Sequence, residues 1–288
     1  MISRKTALKR ILASSALPFL PASGMSSDFG LSKNLGSKIN HSVCKWPYPE
    51  QSLEAMCEVA VEYGIQSVEL LNPDQWDTVN RYGITCAMGN GSPLHIPKGF
   101  NDPIYHERLL KDYEAIIPKA AEAGLKNVIC FSGNREGKSD TEGLENCAKG
   151  LAPVLELAQK HNITICMELL NSKVDHADYQ CDHTTWGVAL CEKMGHDSFR
   201  LLYDIYHMQI MEGDIIATIR KYHPYIAHYH TGGVPGRNEI DETQELNYRA
   251  IMQAIVETGF TGHVAQEFIP SKDKPLASLK RAVEICDV

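Results

Sequence analysis

The sequence predicts an α/β protein whose eight parallel strands alternate with helices and close into a (β/α)₈ barrel. From about residue 38, short apolar runs alternate with longer amphipathic ones, and repeated strand–helix units form a parallel sheet. Eight such units favour closure, because eight strands enclose an interior that side chains just fill. The length of 288 residues suits such a barrel, which takes about 250 residues. A doubly wound open sheet is the rival, but no Gly-x-Gly-x-x-Gly motif follows the first strand.

The predicted strands are the short apolar runs, which lie at 38–43, 66–71, 84–88, 127–131, 163–168, 199–204, 225–230 and 262–267. Helices are predicted where apolar residues recur at i, i+3, i+4 and i+7, at 51–63, 104–123, 140–160, 184–194, 208–222, 244–258 and 273–286. Gly64, Gly124 and Gly259 stand just past three of these helices, where a left-handed residue ends a helix. The longest loops follow predicted strands, as expected of the active face of a barrel.

Composition and charge exclude some classes of partner. The net charge of −8 argues against nucleic acid, whose phosphates are held by clustered Lys and Arg. No run of 18 or more apolar residues exists, so no membrane span is expected. The nine cysteines are odd in number and form no Cys-x-x-Cys pair, which favours reduced, buried thiols. Assembly into a homo-oligomer stays open.

The first 25 residues differ from the rest and are predicted to form a separate segment before a single barrel domain at 38–288. Basic residues, including Arg4 and Lys5, precede a mildly apolar stretch of small residues, as in an export signal. The run at 3–9 is similar to a twin-arginine signal with one arginine replaced by lysine. This pattern predicts export to the periplasm; the alternative is a disordered or amphipathic tail on a cytoplasmic protein.

Four predicted strands end in a polar residue that can bind a metal ion: Glu168, Asp204, His230 and Glu267. An isolated acidic residue there is more often a helix N-cap, but these four end four successive strands. Their side chains should converge, because the C-terminal ends of barrel strands line one mouth. Without a cation, three crowded carboxylates would repel each other and one pKa would rise. Three carboxylates and one imidazole suit Mg²⁺ or Mn²⁺ first, and Co²⁺ is also compatible.

Several motifs resemble those of the hydroxypyruvate isomerase family, most specifically between residues 163 and 270. They are LYDIYHMQ at 202–209, AHYH at 227–230, PGRNE at 235–239, ELNY at 245–248, FSGNR at 131–135 and MELLN at 167–171. The resemblance covers about residues 38–270. It implies a xylose-isomerase-like barrel, a wider group that includes ketose 3-epimerases, inosose dehydratases and endonuclease IV.

The resemblance also implies roles for individual residues. It makes Glu168, Asp204, His230 and Glu267 the ligands of one divalent metal ion. It makes Glu168 and Glu267 an acid/base pair on opposite faces of the substrate, places His207 near the substrate oxygens and lets Arg237 bind a carboxylate or hydroxyl. The implied activity is an aldose–ketose type isomerisation of a small hydroxy-keto acid or sugar. The leading expectation is the conversion of hydroxypyruvate to tartronate semialdehyde. A bound metal acidifies the carbon-bound hydrogen and stabilises an enediolate, while a carboxylate moves the proton.

Other activities stay open at this point. His230 stands where several hydroxypyruvate isomerases are expected to have glutamine, and histidine is what the epimerases use. Return of the proton to the opposite face of the same carbon gives a ketose 3-epimerase, and loss of water gives a dehydratase of the inosose type. A non-catalytic sugar-binding barrel is the alternative outside enzymes. An endonuclease would need more metal ligands and a basic face, which the charge disfavours.

Three further features near predicted strand ends carry weaker expectations. Trp46 either walls the pocket or packs inside the protein. Glu69 ends the second predicted strand, where an indirect role beside the ligands or a capping role is expected. His176, Asp182 and His183 could hold a second metal, but a solvated loop is favoured.

Overall fold

The computed structural model describes residues 37–94, 96–271 and 273–288. Seven parallel strands in this part of the chain form one curved sheet in the order β2-β1-β7-β6-β5-β4-β3. They are β1 Asn40–Cys44, β2 Ser67–Glu69, β3 Asn127–Cys130, β4 Thr164–Glu168, β5 Phe199–Asp204, β6 Ile226–Thr231 and β7 His263–Gln266. The first strand, β1, pairs with β2 and also with the last strand, β7. The strands therefore follow one another around a curved sheet in chain order, with a gap between β2 and β3.

The third predicted strand, at 84–88, completes the barrel without forming a regular strand. Thr85 bridges Ser67 of β2, and Gly89, directly after the segment, bridges Leu71 and also Val128 of β3. The Gly89 N–H donates to the Asn127 carbonyl at 3.0 Å, and the Ile129 N–H donates to the Gly89 carbonyl at 3.0 Å. A Cβ at Gly89 would lie 2.8 Å from a Leu125 methyl carbon, so a larger residue would force this segment or Leu125 to move. The predicted barrel is confirmed, but a regular third strand is wrong because the pairing is limited to isolated bridges.

Nine α-helices surround the strands in the described part of the chain. They are α1 Leu53–Tyr63, α2 Trp76–Arg81, α3 His106–Glu122, α4 Asp140–Lys160, α5 Thr184–Met194, α6 Ile205–Met211, α7 Ile215–Tyr222, α8 Tyr248–Glu257 and α9 Pro275–Cys286. The sequence did not predict α2. The single helix predicted at 208–222 is wrong, since Gly213 at φ 67° and Asp214 at φ 45° break it into α6 and α7. Gly64, Gly124 and Gly259 have φ values of 73°, 84° and 78°, which confirms the predicted helix exits.

Alternation along the strands separates two apolar clusters. The large cluster includes Val43, Val68 and Ile165 and packs with helix residues. A small cluster is formed by Met88, Ile129, Cys166 and Leu202. Side chains two residues apart on a strand share a face. Glu168 therefore follows Cys166 on the face of the small cluster, and Asp204 follows Leu202 there.

The other sequence predictions meet different outcomes. All nine cysteines are buried free thiols, as predicted. No helix among the described residues is long and apolar enough to cross a membrane. The predicted export segment, 1–25, lies outside the described residues and stays a prediction.

Candidate metal centre and active site

The four side chains predicted to bind a metal meet at one mouth of the barrel. Their ligand atoms all lie within 4.8 Å of one another. Glu168 and Asp204 end β4 and β5, His230 lies near the end of β6, and Glu267 follows β7. The strand register pairs Asp204 with His230. All four are nearly inaccessible to solvent, with 5% of Glu168 and 3% of Glu267 exposed and none of the other two.

His230 lies at the centre of this cluster, and each ring nitrogen has its own carboxylate surroundings. Nδ1 lies 2.7 Å from Glu267 Oε2 and 3.1 Å from Glu168 Oε1, whereas Nε2 lies 3.0 Å from Glu69 Oε1. Burial lowers the pKa of His230, but the charge of Glu267, acting together with Cys44 and the hydrogen bond to Glu168, outweighs burial and holds that pKa well above its usual range. The imidazole thus carries a proton where a divalent ion would otherwise supply positive charge, and metal binding would release it.

Glu69 binds the ring nitrogen of His230 that faces away from Glu168 and Glu267. Its fully buried carboxylate also accepts hydrogen bonds from His228 Nε2 at 2.7 Å and from the Ser42 hydroxyl at 2.5 Å. Burial raises the pKa of Glu69, but the charges and hydrogen bonds of His228 and His230 outweigh burial and hold it at about 2. A carboxylate that receives the outer N–H of a histidine and turns its other nitrogen to a metal is a recurring arrangement in metal sites. The hydrogen bond between Glu69 and His230 supports the indirect role beside the ligands that the sequence predicted for Glu69.

Asp204 shows the cost of crowding three carboxylates. Burial raises its pKa to about 8; the nearby charges of Glu267 and Glu168 add to burial, and Arg237 opposes them. The sequence predicted such a rise for carboxylates without a cation. A divalent ion would favour the ionised form of all three groups, and the donor set of three carboxylates and one imidazole fits Mg²⁺ or Mn²⁺.

Arg237 closes one side of the cluster. Its guanidinium Nη2 lies 3.3 Å from Asp204 Oδ2 and 2.5 Å from Glu267 Oε2. The guanidinium lies over the rings of Trp46 and Tyr206, at 5.2 and 5.5 Å from their centroids. Its Nε hydrogen is buried and has no hydrogen-bond partner among the described residues, so a donor remains for a ligand beside the carboxylates.

Trp46 belongs to the site, which settles the alternative left open by the sequence. Its indole N–H donates to Glu267 Oε1 at 2.8 Å, and 44% of the residue is exposed. Trp46 also lines a cavity of about 280 Å³ together with Glu168, His176, Arg237 and Glu267. That volume suits a small molecule.

His207 is held beside the cluster by the start of α6. Asp204 caps this helix, because its Oδ1 accepts from the His207 backbone N–H at 3.0 Å. The His207 ring is fully buried, and its Nε2 lies 3.8 Å from Asp204 Oδ2. Burial and the Arg237 charge hold its pKa well below its usual range. The ring is therefore neutral near pH 7.

The other histidines and acids of the loop after β4 form no further metal cluster in the described residues. Asp182 is only 4% exposed and accepts from Arg135 at 2.8 Å and from Ser172 at 2.6 Å. The solvated loop expected there is wrong for Asp182, because it is a buried partner of Arg135. His176 packs on the His207 ring with centroids 5.2 Å apart.

Comparisons with known proteins agree with this fold. A family model described as a xylose isomerase-like TIM barrel matches residues 45–286. A 2-oxo-tetronate isomerase from Cupriavidus necator is 30% identical over 234 residues, which cover 77% of this chain and 89% of that protein. A hydroxypyruvate isomerase from Escherichia coli (strain K12) is 24% identical over 234 residues, covering 77% and 90%.

Solved structures share the fold at lower identity. An AP endonuclease, family 2, from Brucella melitensis has a TM-score of 0.76 and 22% identity, over 84% of this chain and 96% of that one. A D-psicose 3-epimerase from Clostridium cellulolyticum H10, solved with D-tagatose, has a TM-score of 0.69 and 16% identity, over 87% and 100%. At these identities the likeness concerns the fold alone.

Proposed function

Because the chain belongs to the xylose isomerase-like TIM-barrel family, we propose that it is a metal-dependent isomerase of a small hydroxy-keto acid, interconverting hydroxypyruvate and tartronate semialdehyde or a close analogue. The observation that carries the proposal is the meeting of four ligand atoms within 4.8 Å at a cavity that Arg237 also lines. The names of the two relatives, hydroxypyruvate isomerase and 2-oxo-tetronate isomerase, both specify 2-oxo acids.

The ion would be held by Glu168, Asp204, His230 and Glu267. Such an ion would supply the Lewis acidity that makes a hydrogen on a carbon next to the substrate carbonyl easier to remove. The two glutamates that line the cavity, Glu168 and Glu267, can then move the proton. One removes it from the hydroxymethyl carbon and the other delivers a proton to the adjacent carbonyl carbon, while the hydroxyl proton passes to the former carbonyl oxygen, so that a ketone and an alcohol become an alcohol and an aldehyde.

Arg237 supports an acidic substrate. A guanidinium presents a planar fork that matches a carboxylate, and its buried Nε hydrogen has no partner among the described residues. Binding of a substrate carboxylate would satisfy this buried donor. Trp46 holds Glu267 by one oxygen at 2.8 Å, which leaves the other oxygen directed at the cluster.

Proton NMR in D₂O tests the proposal with Mg²⁺-loaded protein and hydroxypyruvate. We expect signals of the aldehyde or its hydrate and deuterium at the newly protonated carbon. Glu267→Gln should abolish both, because it removes the carboxylate that moves the proton. Glu242→Gln is the matched control, since Glu242 is an exposed partner of Arg281. Absence of turnover by metal-loaded protein over a panel of 2-oxo acids would refute the proposal.

Epimerisation of a ketose is the second candidate, and His230 favours it because histidine is the residue that epimerases are expected to use at this position. The same pair of glutamates would remove a proton from one face of a carbon and return one to the other face. In the same experiment with ketohexoses, inversion with solvent deuterium at one carbon indicates an epimerase, and loss of water indicates a dehydratase.

A further inference from the structure

We propose that Asn171 is a positioning residue that fixes His207 as a neutral imidazole whose Nε2–H donates to an acceptor oxygen of the substrate. The assignment of the tautomer rests on geometry alone. Only the identity of the oxygen, a carbonyl, hydroxyl or carboxylate oxygen of a hydroxy-keto acid, rests on the proposed function.

The orientation of the Asn171 amide is determined by its neighbours in the loop after β4. Its Oδ1 accepts from the backbone N–H groups of Val174 at 2.9 Å and Asp175 at 3.0 Å. Because backbone N–H groups only donate, the atom that faces them is the oxygen. The amide nitrogen is therefore on the other side, where it donates to Asp175 Oδ2 at 2.5 Å.

The same amide nitrogen lies 2.7 Å from His207 Nδ1. An amide nitrogen cannot accept a hydrogen bond, so Nδ1 must be the acceptor. The backbone N–H of Asn171 also donates to Nδ1, at 3.2 Å. Two donors aimed at one ring nitrogen leave no place for a proton on it, and the ring proton must lie on Nε2.

The resulting Nε2–H has no acceptor among the described residues. His207 has no exposed surface, and Nε2 makes no hydrogen bond; Asp204 Oδ2, at 3.8 Å, is beyond hydrogen-bond distance. Leaving a buried donor unpaired costs stability. The donor lies beside a carboxylate of the candidate metal cluster, where a metal-chelating substrate would bring an oxygen, and that oxygen would satisfy it.

This arrangement selects the chemistry of the ligand. A neutral N–H donor binds an acceptor oxygen but offers nothing to an ammonium group, which is itself a donor. Where the acceptor is the 2-oxo oxygen, a 2-oxo acid is thereby favoured over the corresponding 2-amino acid. The ring is held rigidly, because its own backbone N–H donates to Asp204 and its faces pack on Tyr206 and His176.

Long-range ¹H–¹⁵N NMR of protein labelled at histidine distinguishes the two neutral tautomers and the imidazolium. The signals of His207 are assigned by their loss in His207→Gln. In metal-free parent protein at neutral pH we expect the Nε2–H tautomer at His207. Observation of the Nδ1–H tautomer or the imidazolium would overturn the proposal without any turnover, whatever the outcome for the proposed function.

Asn171→Asp converts the donor to an acceptor of nearly the same shape and should move the proton of His207 to Nδ1. The KM for hydroxypyruvate should then rise about tenfold, as expected for one lost hydrogen bond. Asn80→Asp is the matched control: its amide donates to the Ala123 carbonyl at 3.1 Å, on an exposed face at the end of α3. It should retain the parent tautomer and KM.

Asn171→Ala separates these effects from repulsion between two carboxylates, since Asp175 lies next to Asn171. It keeps the backbone N–H donor to Nδ1 but loses the closer amide donor, so the Nε2–H tautomer should become a mixture of the two neutral tautomers while the protein remains folded, as judged by its amide spectrum. Retention of pure Nε2–H tautomer in both Asn171 variants, or an unchanged KM in Asn171→Asp, would refute the role assigned to Asn171.

Discussion

Replacement of Glu69 by glutamine should weaken metal binding although Glu69 is not among the four candidate ligands. Its buried carboxylate accepts from His230 at 3.0 Å, from His228 at 2.7 Å and from Ser42 at 2.5 Å. Burial raises the pKa of Glu69, but the two histidines outweigh burial and hold that pKa at about 2. The carboxylate is therefore charged throughout the neutral range. Glutamine keeps one acceptor oxygen, removes the charge and places an NH₂ group against the donors that the carboxylate held.

The expected loss follows from the role of such a partner. A carboxylate behind a metal-binding histidine fixes the ring and raises its basicity, and its loss costs about 10- to 100-fold in metal affinity, or about 1.4 to 2.7 kcal/mol. Calorimetric titration of metal-free protein with Mn²⁺ measures this directly. The free energy of unfolding in urea, recorded in parallel, shows how much of the change reflects the loss of a buried charge.

Glu212→Gln is the matched control for this experiment. Glu212 accepts from the Thr184 backbone N–H at 2.9 Å and from its hydroxyl at 2.6 Å, where it caps α5 away from the metal cluster. Its metal affinity should equal that of the parent. If Glu69→Gln binds Mn²⁺ within twofold of the parent while His230→Ala loses binding, the coupling from Glu69 through His230 is refuted.

Three further outcomes are expected. Arg237→Lys keeps the charge but loses the planar fork, so the KM for hydroxypyruvate should rise about tenfold or more; an unchanged KM would remove Arg237 from substrate binding. Burial, with the His228 charge, lowers the pKa of His263 to about 4. As the pH falls from about 6.5 to 4, His263 therefore binds a proton in the unfolded chain but not in the folded one. The free energy of unfolding should fall by up to about 3 kcal/mol over this range. His263→Gln should lose less stability in urea unfolding between pH 7 and pH 4, and an identical loss would contradict this. Residues 1–25 fused to a reporter should direct export that fails when Arg4 and Lys5 become glutamine; export of the altered fusion, or none of the original, would exclude the predicted signal.

Much of the fold could be predicted because it depends on local pattern. Helices such as α4 follow from apolar spacing and begin and end as predicted, and Gly64, Gly124 and Gly259 end helices with the positive φ that glycine permits. Where the local signal is weak or mixed, prediction failed. α2 is only six residues long, the segment at 84–88 pairs through isolated bridges, and a turn at Gly213 divides a continuous apolar pattern.

The sequence by itself determined that Glu168, Asp204, His230 and Glu267 converge, since each ends a successive strand and barrel strands share one mouth. Only the tertiary structure decided what surrounds them. Glu69 lies 161 residues from His230 in the chain, Trp46 lies 221 residues from Glu267, and the loop after β6 brings Arg237 across two of the carboxylates. Strand order sets which residues reach the mouth, whereas loop paths and packing between distant segments set their hydrogen bonds and charges. No periodicity in the chain encodes those contacts.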